Sequence, residues 1–325
     1  MNHAIRIHAY GGPETMVWEE IDVGEPGEGE VRLRHTAVGL NFIDVYQRTG
    51  LYPLPSLPGG LGMEGAGVVE AVGPGVTDLS AGDRVAYAAP LPGAYCEARI
   101  MPADRLVRLP EGIDDRQAAA MMLKGMTAEY LLRRTYRVAA DDTILFHAAA
   151  GGVGLIACQW AKALGATVIG TVSSPEKAAI ATAHGCDYPI VTRTEDFVAR
   201  VREITGGRGV AVVYDSIGRD SFEGSLDCLA PRGMLVLFGQ SSGPVPPFDL
   251  GQLAAKGSLY VTRPSLFSYT ASRADLEASA GALFERVASG EIRIEINQTY
   301  ALGDAAQAHR DLEARKTTGS TVLLP

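Results

Sequence analysis

Asp141-Asp142-Thr143-Ile144-Leu145-Phe146-His147-Ala148-Ala149-Ala150-Gly151-Gly152-Val153-Gly154, continuing through Gln159 to Lys162, says more about architecture than any other part of the chain. Ile144 to Phe146 is a short apolar run of the kind that forms a buried strand. Gly151, Gly152 and Gly154 allow a sharp turn and, lacking Cβ atoms, let a pyrophosphate approach the backbone. A helix running on from Leu155 would offer free N–H groups and its positive dipole end to that phosphate. A glycine triplet alone also fits an ordinary tight turn. Here it stands between a strand and a helix, and a second strand, Thr167 to Val172, follows at the spacing of a βαβ unit.

The residues after that second strand bear on which dinucleotide is held. An NAD-selective site usually places Asp or Glu about 20 residues beyond the glycines, against the ribose hydroxyls. This chain has Ser173-Ser174-Pro175-Glu176-Lys177 instead. Two hydroxyls, free backbone N–H groups and a lysine suit a 2′-phosphate, which an acid at Ser174 would repel. Ser174 also reads as the cap of a helix whose first residue is Pro175, with Lys177 in solvent. The two roles are compatible, and the expected cofactor is NADPH.

Composition narrows the class. With 325 residues, two domains are expected, each large enough for its own core. A 46% hydrophobic content and 38 glycines fit a doubly wound α/β protein with many tight connections. The formal net charge is −9 with no basic tract, so neither nucleic acid nor an anionic membrane is an expected partner. The beginning, Met1-Asn2-His3-Ala4-Ile5-Arg6, lacks the apolar core of a signal peptide. The longest apolar stretch, around Ala148 to Ala161, is glycine-rich and broken by Gln159, which argues against a membrane span. Cys96, Cys158, Cys186 and Cys228 are scattered and form no CxxC pair, as expected for reduced thiols in a cytoplasmic protein.

Outward from the glycine turn, strand and helix alternate. Helices are expected at Pro175 to His184, Glu195 to Ile204 and Ser221 to Cys228. Strands are expected at Pro189 to Val191, Val210 to Tyr214, Met234 to Phe238 and Ser258 to Thr262. With the first two, these six strands make a parallel Rossmann sheet. The first third is different: Ile5-Arg6-Ile7 and Glu30-Val31-Arg32-Leu33-Arg34 alternate as strands with one solvated face, punctuated by Gly and Pro. Helical texture begins near Asp114, in two pieces, Arg116 to Met122 and Thr127 to Arg134. A long helix, Arg273 to Ala288, and a final strand near Thr321 to Leu324 have no place in the parallel sheet and are expected to return to the N-terminal part.

The glycine signature resembles that of the quinone oxidoreductase/zeta-crystallin branch of the medium-chain dehydrogenase/reductases, and the resemblance runs nearly end to end. It includes Asn41-Phe42-Ile43-Asp44-Val45-Tyr46, Gly50-Leu51-Tyr52-Pro53, Gly62-Met63-Glu64, Ala81-Gly82-Asp83-Arg84-Val85 and Lys124-Gly125-Met126-Thr127. Further on come Tyr214-Asp215-Ser216-Ile217-Gly218 and Gly257-Ser258-Leu259-Tyr260-Val261-Thr262-Arg263-Pro264. The resemblance implies an α/β protein: a GroES-like, β-rich catalytic domain of residues 1–124 with 265–325, and a Rossmann NADPH-binding domain of residues 125–264. It also implies a homodimer, and the apolar segment Gly257 to Arg263, if it forms an exposed sheet edge, could pair across a two-fold axis.

No metal is expected. The zinc-dependent branch typically carries Gly-His-Glu where this chain has Gly62-Met63-Glu64, and a cysteine ligand where it has the Asn41 loop. Methionine and asparagine are poor Zn²⁺ ligands beside thiolate and imidazole. Without a Lewis acid an alcohol is a poor substrate, whereas a quinone already accepts electrons readily. The protein then has mainly to hold the reactants together and aim donors at the oxygen where charge develops. The resemblance puts Asn41, Asp44, Tyr46 and Tyr52 in that role, in a loop at the nicotinamide end. Asn41 could donate through its amide, and each tyrosine offers a hydroxyl and a flat wall. Asp44 reads equally as a capping carboxylate, and the tyrosines as packing aromatics.

Remaining cofactor contacts implied by the resemblance are Phe42, Ile43, Lys124, Thr127 and Tyr130 toward the nicotinamide half, and Gly152-Val153 within the Gly151 to Gly154 turn. Ser173, Ser174 and Lys177 belong to the adenosine end. Ile217, Phe238, Gly239, Ser241 and Ser242 belong to covering loops, joined from the C-terminal side by Arg263, Pro264, Ser265 and Arg315. Thr192 and Arg193 are further implied cofactor contacts, at the adenosine end after the third strand. Close relatives tend to have a tyrosine before the arginine, so here the ring contact is lost and binding there is expected to be weaker or to lean more on Arg193. Arg193 and Arg315 read by default as solvated surface arginines. The leading function is NADPH-dependent quinone reduction without flavin or metal. The alternatives are reduction of an enone or alkenal double bond, and a non-catalytic crystallin-like or RNA-binding role; the −9 charge argues against RNA, and the intact cofactor turn against a purely structural protein.

Overall fold

The computed structural model describes residues 1–325. The chain divides into two compact units: Met1–Met126 with Thr270–Ala288 and Ile294–Pro325, and Thr127–Tyr269 with Ser289–Arg293.

The second unit is built on a six-stranded, all-parallel sheet. Its order is Tyr188–Val191, Thr167–Val172, Thr143–Phe146, Val210–Asp215, Leu229–Leu237, Tyr260–Thr262, the doubly wound Rossmann arrangement. Such a sheet is covered on both faces, so its central strands are apolar at successive positions rather than alternate ones. Ile144, Leu145, Val168, Ile169, Val212 and Val213 are all fully buried. Several boundaries differ from the sequence reading, three of them with a clear local cause. The helix after the glycine turn runs Gly152–Ala163 and so begins three residues before Leu155, because glycines without side chains carry no apolar period to mark its first turn. The fifth strand starts at Leu229, five residues early, and passes through Arg232 at φ 63°. The sixth starts only at Tyr260, because Gly257 and Ser258 sit at φ 111° and 58° and turn the chain into it.

The first unit holds a seven-stranded sheet. Ile296–Ala301, Ser320–Leu324, Glu30–Leu40, Glu64–Val72, Arg84–Ala88 and Val107–Arg108 follow one another, and Ala98–Pro102 pairs with Glu30–Leu40. Ser320–Leu324 pairs antiparallel with Glu30–Leu40, Val322 opposite Gly39, so the C-terminal strand does return to the N-terminal sheet. A smaller sheet joins Met16–Ile21, Asn2–Ile7 and Gly59–Gly60. Val31, Leu33, Val38, Leu40, Leu61, Val69, Val85, Leu106 and Leu323 form one core.

The helix Arg273–Ala288 stands where the sequence puts it. Two helical expectations need correction. Arg116 to Met122 and Thr127 to Arg134 are not separate: one helix, Asp115–Tyr130, runs through Lys124-Gly125-Met126. Gly125 does not break it; a Cβ there would lie 2.5 Å from the Leu283 side chain, so the glycine lets the long C-terminal helix pack close. The Asn41 segment, read as a loop, opens the helix Phe42–Thr49. Its signals are local but compact: Asn41 at the cap, Asp44 three residues on, and Gly50 at φ 81° ending it after two turns.

Candidate cofactor and substrate site

In the Rossmann unit the site begins where Thr143–Phe146 ends. Ala148 takes a left-handed φ of 54°, and its N–H is held by the Thr171 hydroxyl at 3.3 Å. Gly151 is extended and caps Gly152–Ala163 without any side-chain bond to the first-turn N–H groups. Those groups have no intrahelical acceptor and face whatever anion sits there. A Cβ on Gly154 would overlap the Ala148 carbonyl oxygen and come within 2.6 Å of that of Ala149. Glycine is therefore required for the turn to fold back on the helix, and the backbone cradle fits a pyrophosphate.

At the next strand end Ser174 caps Pro175–Ala183, its Oγ accepting from Lys177 N–H at 3.4 Å. Ser173 and Lys177 are half-buried beside it. Thr192 returns its hydroxyl to the Val172 carbonyl, 3.2 Å, and tethers the two strand ends; Arg193 is exposed. The loops after the fourth and fifth strands are tied together. Asp215 accepts from the N–H groups of Ile217 (2.7 Å) and Gly218 (3.1 Å), while Ser242 bonds the Ile217 carbonyl through both N and Oγ at 2.8 Å. Ser241 N–H reaches the Ser216 carbonyl at 3.1 Å, and Gly239 lies against Ser216 so closely that a Cβ would come 2.7 Å from its oxygen. Phe238 packs on Phe146, 5.6 Å between ring centroids. Arg263 donates to the Leu237 carbonyl at 3.1 Å, followed by Pro264 and Ser265. Tyr130 stacks on Tyr269 at 4.5 Å, and Thr127 is buried on the same helix. The glycine turn, the serines, Ile217, Phe238 to Ser242 and Arg263 thus all follow carboxyl ends of parallel strands, where open α/β sheets bind ligands.

In the first unit a different cluster forms around Glu64. This carboxylate is fully buried and accepts Asn41 Nδ2 (2.7 Å), Lys124 Nζ (2.5 Å) and the Leu123 N–H (2.6 Å). Gly39 makes room for it, since a Cβ there would overlap Glu64 Oε1. Asn41 therefore has one amide hydrogen engaged by Glu64, and its side chain and that of Asp44 form a reciprocal capping box at the start of Phe42–Thr49. Asp44, also fully buried, accepts the Asn41 N–H (2.9 Å) and the Tyr95 hydroxyl (2.8 Å) on Oδ2. Burial pushes its pKa up to about 7, against the pull of those two bonds. Tyr46 is buried between Phe42 (5.4 Å) and Tyr52 (5.1 Å), Tyr52 standing edge-on and half-buried. Phe42 and Ile43 form the first turn. Arg315 lies at φ 59° just past Ala305–Glu313, exposed.

Sequence reasoning quoted Glu64 only as a motif letter and missed Tyr95, His309 and Arg48 around Asp44. Pairings 51 and 214 positions apart leave no local pattern.

A GroES-like sheet joined to a Rossmann sheet is the architecture of the medium-chain dehydrogenase/reductases. Residues 27–141 match the family described as alcohol dehydrogenase GroES-like domain, and residues 152–280 the one described as zinc-binding dehydrogenase. A quinone oxidoreductase of Pseudomonas aeruginosa is 58% identical over 325 residues, covering 100% of both chains. The crystal structure of Escherichia coli quinone oxidoreductase complexed with NADPH superposes with a TM-score of 0.98 at 52% identity, covering 99% of this chain and 100% of that one. A 2-haloacrylate reductase of a Burkholderia species is 49% identical over 326 residues, 98% of each chain. The chain belongs to the quinone oxidoreductase family of the medium-chain dehydrogenase/reductases.

The zinc implied by one family description does not fit these residues. No three His, Cys, Asp or Glu side chains gather where they could hold an ion. Met63 accepts from Gln47 Nε2 at 3.0 Å, and Glu64 already carries the Lys124 ammonium. Thioether and amide are weak partners for Zn²⁺.

Proposed function

We propose that this chain is an NADPH-dependent quinone oxidoreductase that uses neither flavin nor metal in the reaction. The observation that carries the reading is its full-length likeness to quinone oxidoreductases, over a glycine turn whose backbone admits a pyrophosphate and rejects a Cβ at Gly154. NADPH, when bound, supplies the hydride. The Gly151 to Gly154 turn holds its pyrophosphate, and Ser173, Ser174 and Lys177 receive the 2′-phosphate. Ile217 with Phe238 to Ser242 and Arg263 to Ser265 cover the cofactor, and Thr127 and Tyr130 back it.

On the substrate side Asn41 is clamped at two points, its amide by Glu64 and its main chain by Asp44. A donor immobilised in advance stabilises developing charge without reorganising when it forms. Its second amide hydrogen would be a donor for a quinone oxygen, and Lys124 is held on the same Glu64 carboxylate. Tyr46 and Tyr52 supply flat aromatic surface for a planar substrate.

The protein acts as a homodimer formed through Tyr260–Thr262, an edge strand with Tyr260 58% and Val261 38% exposed. Four free, buried cysteines and no helix long and apolar enough to cross a membrane support a cytoplasmic setting.

The 49% identity to a 2-haloacrylate reductase favours one further reading, reduction of an activated carbon–carbon double bond. Steady-state oxidation of NADPH, with NADH as control, across small quinones, 2-haloacrylates and enones separates the two. Quinones are expected to turn over fastest and NADH to serve poorly. No turnover of any quinone sinks the assignment, and faster 2-haloacrylate or enone turnover replaces it with the second reading.

A further inference from the structure

One line of buried polar side chains has no part in the scheme above. Arg48, 1% exposed, donates Nη1 and Nη2 to the two carboxylate oxygens of Glu313 at 2.8 Å each. Its Nη1 also lies 3.1 Å from His309 Nδ1. His309, fully buried, has Nε2 3.1 Å from the Tyr95 hydroxyl, and that hydroxyl is the donor to Asp44 Oδ2.

The direction of every bond follows from chemistry. Guanidinium has no acceptor, so His309 Nδ1 must offer its lone pair. Desolvation and the adjacent Arg48 lower the His309 pKa to about 3, so the ring is neutral and carries its proton on Nε2. That proton goes to the Tyr95 oxygen, and Tyr95 has one proton left, which goes to Asp44. The chain runs one way, from Arg48 to the carboxylate, and reversing any bond would set two donors face to face.

We propose that Tyr95, His309 and Arg48 are positioning residues for quinone reduction, a one-way hydrogen-bond chain that grips Asp44 and through it sets the main chain of Asn41. The proposal rests on the reading of Asn41 as a substrate-side residue. Burying three polar groups costs more than packing apolar ones of the same size, so their directed order calls for a reason beyond filling space. Asp44 is held through Oδ2 alone, its Oδ1 being buried without a partner. Both the Asn41 N–H and the Tyr95 O–H aim at that single oxygen, and protonating the carboxyl weakens both grips together. The groups facing Asp44 are Tyr95 and the Asn41 N–H as donors, Glu64 disfavouring its charge and Lys124 favouring it, with neutral His309 and charged Arg48 behind Tyr95. With the Asp44 pKa at about 7, the grip loosens as pH falls through neutrality. Removing the Tyr95 hydroxyl deletes a bond that favours the ionised form, so the loosening moves to higher pH.

The test is the pH dependence of kcat/KM for a small quinone at saturating NADPH, with thermal unfolding measured alongside. Wild type is expected to lose activity on acidification through about pH 7. Tyr95→Phe keeps the ring and should move that acid limb up by about one pH unit. His309→Leu should do likewise. His309→Gln, whose oxygen can accept from Arg48 and whose nitrogen can donate to Tyr95, should restore the wild-type limb. An acid limb unmoved in both Tyr95→Phe and His309→Leu, or a Gln variant that behaves as Leu does, overturns the proposal. Asn41→Ala separates the two layers. If it is slow while Tyr95→Phe keeps the wild-type profile, the chain alone fails; if it is fully active, the reading of Asn41 fails and the proposal with it.

Discussion

Ser174 has two duties that one substitution can separate. Its Oγ caps Pro175–Ala183, and it stands where the 2′-phosphate of NADPH is proposed to bind. Aspartate caps a helix about as well as serine, so Ser174→Asp should leave thermal stability essentially unchanged. The added carboxylate would, however, face the phosphate with like charge. KM for NADPH is expected to rise by about tenfold or more while KM for NADH stays within about twofold, a difference of roughly 1.4 kcal/mol. Equal effects on both cofactors would show that the phosphate does not sit there. Ser174 was legible because cap, proline and lysine lie within four consecutive residues. Glu64 was not: its partners Asn41 and Lys124 are 23 and 60 positions away, and only the folded sheet and the Asp115–Tyr130 helix bring them to one carboxylate. Removing Lys124 alone would leave that charge buried without its counter-ion, a defect that typically costs about 3–5 kcal/mol.

Elements that announce themselves do so through period and punctuation within about a dozen residues. The strand–glycine–helix unit, the serine-capped helix and Arg273–Ala288 all meet that condition. Phe42–Thr49 does not, because two turns give too little apolar period to outweigh the strand that precedes it. Gly125 lies inside the continuous helix Asp115–Tyr130 and serves as a contact surface for Leu283. The edge strand Tyr260–Thr262 is the element on which assembly depends in the proposed homodimer. Its Tyr260 and Val261 leave apolar surface in water beside unpaired backbone groups, the situation that invites a second strand. Introducing Tyr260→Lys with Val261→Lys would bring like charges together across a two-fold axis and require their desolvation. Sedimentation is expected to find wild type dimeric and the double variant monomeric at micromolar concentration. A wild type that sediments as a monomer, or a dimer untouched by the two lysines, removes this strand from the interface.

The buried ionisable groups make opposing demands on stability as pH changes, and their balance has a sign. His35 lies between the Cys96 carbonyl and the Tyr87 hydroxyl, and desolvation lowers its pKa from 6.5 to about 3. His309 is lowered equally, by desolvation and then by Arg48. Both are neutral in the fold and would take up a proton on unfolding below pH 6.5, so the stability they confer is complete above that value and is lost as pH falls toward 3. Desolvation also lowers His147, between Thr171 and Ser225, which acts in the same direction. Asp44 works oppositely: raised from 3.8 to about 7, it keeps a proton in the fold that the unfolded chain releases, so its contribution is present in acid and is lost as pH rises through 7. Near pH 5 the unfolded chain thus binds two more protons at His35 and His309 and one fewer at Asp44, a surplus of at least one. A surplus of one proton lowers stability by about 1.4 kcal/mol for each pH unit of acidification. Urea unfolding followed by tryptophan fluorescence should show the midpoint falling steadily from pH 7 to pH 5. Asp44→Asn, which cannot titrate, should steepen the fall, because it removes the one group that favours acid. A midpoint that holds level or rises over that interval would mean that His35 and His309 already carry protons in the fold, and Arg48 would then face an imidazolium in place of the lone pair that orders the chain leading to Asp44.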